Sequence, residues 1–143
     1  MKKEDYIAQI LLKGEAKLKN NGWLSHHVFE TELREFNGLA NSHTHGLEEN
    51  FGHLDFQMVL PINPSITESI FTILAERVKA GEVFEEGKEY YEIITNFPVH
   101  FKEFSSDSRK VLRLILPDEN GKTPKDSDCK EPYNRQYEQL KDI

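Results

Sequence analysis

The 143-residue sequence carries 25 acidic and 18 basic side chains, a net charge of −7, with 37% hydrophobic and 30% charged residues. That length predicts a single domain with one core, thinner than usual and heavily solvated. No window approaches the roughly 20 apolar residues a membrane span requires, which argues against a membrane protein.

The charge is unevenly spread. Residues 21–60 hold one basic and six acidic side chains, residues 61–104 hold four and eight, and residues 105–143 are balanced at eight and eight. A nucleic-acid binder normally shows a basic face or stripe, and none is visible. An acidic middle repels phosphate and favours cations or a protein partner with a basic surface. The opening Met1-Lys2-Lys3-Glu4-Asp5 and the short patch Ile10-Leu11-Leu12 do not read as a secretory signal, so the cytoplasm is the expected compartment. The single cysteine, Cys129, cannot form an internal disulfide, and its acidic neighbours Asp126, Asp128 and Glu131 disfavour a thiolate.

In chain order, residues 1–21 form an expected N-terminal helix, with Tyr6, Ile7, Ile10, Leu11 and Leu18 at helical spacing and Asn20-Asn21-Gly22 closing it. An α+β core is expected over 22–124. It begins with a strand at Trp23–Phe29, followed after a polar connector by a strand over Leu39–Leu47 and a turn at Glu48–Gly52. A half-buried strand is expected over Leu54–Leu60, where Leu54, Phe56, Met58 and Leu60 alternate with Asp55 and Gln57.

The best-marked element is a long helix. Asn63 suits the N-cap and Pro64 the first helical position, while Gly81 suits the far end. Ile66, Ile70, Ile73, Leu74 and Val78 form its apolar stripe, with Phe71 at the edge. Then come an acidic, aromatic stretch with a helical turn around Lys88–Ile93, a strand over Pro98–Phe104 and a central strand over Val111–Leu116. Pro117–Gly121 reads as a turn, and residues 125–143 as a polar connector with a helix over Pro132–Leu140. Strands on either side of one strong helix, without βαβ alternation, predict an α+β fold. Its sheet is mainly antiparallel, the long helix packs on one face, and shorter helices lie at both termini.

The sharpest chemical constellation is His43-x-His45 followed by His53-x-Asp55. Residues two apart on a strand share a face, so two neighbouring strands would offer three imidazoles and a carboxylate to a divalent transition metal such as zinc. With an open position, such a centre would support hydrolysis. The alternative is that these histidines cap turns or bond to backbone. His26, His27 and His100 add little, since adjacent residues in a strand face opposite ways. No nucleophile elbow occurs, and Gly121-Lys122-Thr123 lacks the upstream glycine of a phosphate loop. Phe84, Tyr90, Tyr91 and Phe97, around the acidic stretch, either line a pocket or supply core to an irregular segment.

The segment Gly46-Leu47-Glu48-Glu49-Asn50-Phe51-Gly52-His53 resembles the bacterial family catalogued as domain of unknown function 4262. Gly22-Trp23, Thr44-x-Gly46-Leu47, Leu60-Pro61 before a helix, and Ala80-Gly81 through Gly87-Lys88-x-Tyr90 are similar to its successive motifs. So are Phe97-Pro98-Val99-x-Phe101 and Pro117-Asp118-x-x-Gly121-Lys122-x-Pro124, so the likeness runs from about Gly22 to Cys129. Departures are local. His43 stands where the family has an aromatic, His45 where it has an aliphatic and Lys125 where it has a tryptophan. Of the four candidate ligands only His53 matches a family histidine. The resemblance implies the fold and a bacterial cytoplasmic setting, and supplies no activity.

The leading expectation is therefore non-enzymatic binding of a protein or small ligand, immunity-like in one form, through a surface containing His53, Glu49, Asn50 and Tyr90. The runner-up is a metal-dependent hydrolase or metal-binding protein using His43, His45, His53 and Asp55.

Overall fold

A computed structural model describes residues 21–29, 38–105 and 109–140. The expected N-terminal helix and most of the connector after the first strand lie outside these residues. The described chain is α+β. Strands β1 (Leu24–Phe29), β2 (Ala40–His45), β3 (Phe56–Met58), β4 (Glu89–Tyr90), β5 (Val99–Ser105) and β6 (Lys110–Ile115) form one sheet in the order β1-β2-β3-β6-β5-β4. Its ladders are antiparallel except for β3 and β6, which run parallel and make the sheet mixed.

The long helix α2 spans Pro64–Lys79. The Asn63 side chain accepts the Ser65 amide at 2.9 Å, and Pro64 needs no donor at the first position. At the far end Gly81 adopts φ 100°, and the Gly81 and Glu82 amides reach back to the Val78 and Arg77 carbonyls at 2.9 and 3.0 Å. One face of the sheet packs on this helix: Phe56, Met58, Val99, Phe101, Leu112 and Leu114 meet Ile70, Phe71, Leu74, Ala75 and Val78. The buried stripe is rotated from the expected one. Thr67 and Ala75 face the core, while Ile66 and Ile73 are exposed.

Other expectations are corrected. The second strand stops at His45, because Gly46 turns the chain at φ 103°, and the expected turn is a short helix, α1 (Leu47–Phe51), ended by Gly52 at φ 71°. The third strand is only Phe56–Met58, and its alternation does not separate buried from exposed. Asp55 and Gln57 are also buried, because hydrogen bonds within the protein satisfy them. The expected helical turn at Lys88–Ile93 is replaced by the two-residue edge strand β4.

The expected C-terminal helix is reduced to one 3₁₀ turn, Tyr133–Arg135. The backbone carbonyls that would propagate it are used elsewhere. Arg113, wholly buried on the sheet face opposite α2, donates to Gln136 O at 2.8 Å and Glu138 O at 2.6 Å. The Gln136 side chain, also buried, bonds both the amide and the carbonyl of Leu116. The segment is thus held across that face as a run of tight turns, and at its end Leu140 packs with Leu39 and Val59. Among the described residues, no helix is long and apolar enough to cross a membrane.

Candidate functional site

His53 follows α1 directly and is buried. Its Nδ1–H donates to Leu54 O at 2.8 Å, and its Nε2 accepts the Phe84 amide at 3.0 Å. Those two bonds set the Nδ1–H tautomer and leave no lone pair for a metal. The ring lies 5.1 Å from Phe56 and 5.9 Å from Phe84, fastening the connector after α2 to the sheet.

Asp55 is equally committed. Its Oδ1 accepts the Thr44 hydroxyl at 2.8 Å and the Leu47 amide at 3.1 Å, while Thr44 Oγ1 in turn accepts the Phe56 amide at 2.9 Å. Arg109 approaches the other carboxylate oxygen at 3.8 Å. This network joins the β2–α1 corner to β3.

His43 and His45 do share a face, as their spacing requires, but it is the face away from α2 and away from Thr44. There they meet His26, with ring centroids 4.7 Å apart for His43–His45, 5.6 Å for His26–His43 and 5.0 Å for His26–His45. Arg109 Nη1 contacts His45 Nδ1 at 3.0 Å, and Nη2 donates to Thr44 O at 3.1 Å. Burial, then the neighbouring His45, Arg109 and His26, pull His43 down to about 3. Burial also lowers His45 and His26.

The expected set of His43, His45, His53 and Asp55 is therefore not assembled. Two-residue spacing keeps a common face only inside a strand, and His53 and Asp55 precede β3, whose ladder opposes His43 to Gln57. Asp55 is drawn to Thr44, the one residue between the two histidines. Among the described residues, no group of three or more His, Cys, Asp or Glu is placed to hold a metal ion. Cys129 is buried, and burial followed by Asp118, Asp126 and Asp128 pushes its thiol up, away from a reactive thiolate.

A cavity of about 350 Å³ opens above His53, between the end of α1, the end of α2 and the connector 81–85. His53, Leu54, Val78 and Phe84 form its apolar base, with Phe51 and Val83 at its lip, 39% and 66% exposed. Glu82, Glu85 and Glu103 complete the lining. Each is in a surface ion pair: Glu82 with Arg77, Glu85 with Lys88 at 2.5 Å and Glu103 with Lys110 at 2.9 Å. The Arg77 hydrogen bond holds Glu82 below its ordinary value, and the Arg77 guanidinium lies 5.2 Å over Phe84.

The residues expected at a binding surface lie around this groove in different roles. His53 lines it, and Glu49 projects from α1 into solvent. Asn50 Nδ2 donates to Gly22 O at 2.8 Å, tying α1 to the start of β1. Tyr90 stands behind the groove, its ring 4.9 Å from Phe84 and its hydroxyl accepting the Glu85 amide at 2.9 Å. Phe84 belongs at once to the core and to the groove, so both readings of the aromatic stretch hold for that residue, whereas Tyr91 is exposed. Phe51 and Val83 were not among the sequence candidates. Their only signal was a large apolar residue within two positions of Gly52 or Gly81, at sites where the chain turns outward.

Fold and site together define a small α+β domain built on a mixed six-stranded sheet, with an apolar groove beside its histidine-bearing α1 corner. The chain belongs to the family described as Domain of unknown function (DUF4262), whose model matches residues 17–130. That match spans β1 to β6 and stops just before the C-terminal segment that crosses the sheet. No curated protein and no solved structure matches the chain significantly.

Proposed function

We propose that this chain is a non-enzymatic binding domain that takes an apolar side chain from a basic segment of a protein partner into the groove over His53 and Phe84. The observation that carries this reading is the pairing of Phe51 and Val83, both exposed, at the mouth of a cavity otherwise ringed by glutamates. Exposed apolar side chains around a concavity gain most from being covered. Glu85 and Glu103 sit in exposed ion pairs worth at most about 1 kcal/mol each, so a cationic partner re-pairs them at little cost, while Glu82 stays in its part-buried two-point bond to Arg77. Glu48 and Glu49 add two solvent-facing carboxylates on α1. Among the described residues the groove's lining has no Ser, Thr, Cys or Lys, and both nitrogens of its histidine bond to backbone. An immunity-like pairing with a basic toxin is the finer form of this proposal.

The test is a panel of peptides varying Lys/Arg content and one apolar anchor, read by fluorescence polarisation, alongside the protein encoded next to this gene. Affinity should rise with both variables and fall at least tenfold in Val83→Asp and Phe51→Ser, with Ile66→Ser unchanged. Binding by none of these ligands, or binding indifferent to the two groove substitutions, defeats the proposal.

A further inference from the structure

On the other side of the sheet edge, a cavity of about 380 Å³ lies between the loop into β4, strand β5 and the C-terminal segment. Lys88, Lys102, Lys125, His100 and Tyr137 line it, together with the carboxylates Glu86 and Glu89. Three ammonium groups around one hollow stand out in a protein of net charge −7. Beneath them the positive potential continues, because Lys102 is the cross-strand partner of the buried Arg113. We infer that this cavity is a binding site for a small phosphate-bearing molecule.

Each polar group has a place in that assignment. Lys102 is held by aromatic rings, its Nζ 5.3 Å from the Tyr137 centroid and 6.0 Å from that of Phe104, so its charge is already localised. Lys125 is exposed and free to swing onto a ligand, and it sits close enough to act on His100. His100 Nε2 and the Tyr137 hydroxyl are 2.7 Å apart. Burial, Lys125 and Lys102 hold that imidazole down at about 4, so it is neutral at pH 7 and shares a single hydrogen bond with the Tyr137 hydroxyl. A bound dianion reverses the sign of the local potential and favours the imidazolium.

The carboxylates offset part of this charge and leave the lining at a net +1 with His100 neutral. Glu86 accepts the Glu103 amide at 2.5 Å, and Glu89 is the acidic group toward which a ligand's hydroxyl or amine would point. Lys88 is shared with Glu85. Phosphate is favoured over carboxylate because it brings two negative charges to a ring of three lysines. Lysine ammonium groups bind phosphate as point charges, and a dianion gains about twice the Coulomb attraction from them that a carboxylate monoanion does.

The experiment titrates the full chain with inorganic phosphate and with methyl phosphate at fixed ionic strength, with chloride and acetate as controls. Binding is followed by calorimetry and by the side-chain NMR signals of His100 and Tyr137. Phosphate and methyl phosphate should bind with dissociation constants at or below the millimolar range, shift both residues and raise the His100 midpoint by at least one pH unit. Lys125→Gln, on an exposed position that should not disturb folding, and Lys102→Met should each weaken binding at least tenfold. Equal responses to chloride or acetate, or full binding by the Lys102→Met/Lys125→Gln double variant, would overturn the assignment. So would no shift at His100 and Tyr137.

Discussion

Arg113 gives the strongest test of how the far side of the sheet is held together. The guanidinium is wholly buried and, among the described residues, hydrogen-bonds no carboxylate. Nε donates to Gln57 Oε1 at 2.7 Å, Nη1 donates to the Gln136 and Glu138 carbonyls, Nη2 makes no hydrogen bond, and the Phe104 ring lies 3.4 Å from the central carbon. Burial pulls the group down to about 9, which still leaves it charged at neutral pH. Arg113→Ala strands two buried acceptors at about 1–3 kcal/mol each and a part-buried one at less, and removes a cation–π contact worth up to about 2 kcal/mol. Relief of the buried charge's desolvation offsets part of this, so the net loss should be about 3–5 kcal/mol. For a chain of this size that is a fall in Tm of roughly 10–15 °C. Arg113→Met keeps much of the stem while removing the charge, and should lose less than half as much. Urea unfolding followed by the fluorescence of Trp23, the single and buried tryptophan, measures both variants. Limited proteolysis should also cut Arg113→Ala early between residues 131 and 140. A loss below about 1 kcal/mol for Arg113→Ala, with that segment still protected, would refute the clamp.

Two further outcomes follow from the same geometry. His43 and His100 titrate near 3 and 4 in the folded chain, well below their ordinary 6.5. The unfolded chain therefore binds protons that the folded chain refuses, and stability falls as pH drops from 6.5 toward 4. Allowing for solvent screening, the slope should be about 1 kcal/mol per pH unit for each histidine. His43→Gln and His100→Gln should each flatten the curve of unfolding free energy against pH, and a wild-type curve flat across that window contradicts the burial of these rings. Gly121 sits at φ 79° with the space for a Cβ only 2.7 Å from the Phe97 ring, so Gly121→Ala should cost about 1–3 kcal/mol by chemical denaturation. Gly87→Ala, at φ 83° with nothing within 4 Å, carries only the backbone penalty of roughly 1 kcal/mol and serves as its control.

What the sequence revealed divides along a physical line. Local signals carried through: Asn63-Pro64 and Gly81 bracket α2, and the strands near residues 24, 99 and 111 lie where their apolar character put them. Elements decided by distant partners did not. A buried Asp55 and Gln57 read as solvent-facing until Thr44 and Arg113 are known to reach them. The helix expected over Pro132–Leu140 has a suitable pattern, yet its Gln136 and Glu138 carbonyls are claimed by Arg113, 23 and 25 positions earlier. The same blindness shaped the site. Spacing correctly paired His43 with His45, but only sheet register reveals that His26 joins them while His53 turns away. His100, set aside in the sequence as adding little, lines a cavity with Tyr137 from the far end of the chain.

The parallel pairing of β3 with β6 bears on how the chain reaches this state. Strands β1 to β3 come from residues before 59 and strands β4 to β6 from residues after 88, and the ladder uniting the two halves joins Phe56 to Leu112 and Gln57 to Arg113. Such rungs close late, because long stretches of chain must be ordered before any stabilisation returns. While the chain is being synthesised, the apolar strand β3 has an unsatisfied edge until β6 emerges. Folding of the sheet is thus tied to the last third of the molecule, and a truncation ahead of Lys110 should yield an aggregating fragment rather than a smaller sheet.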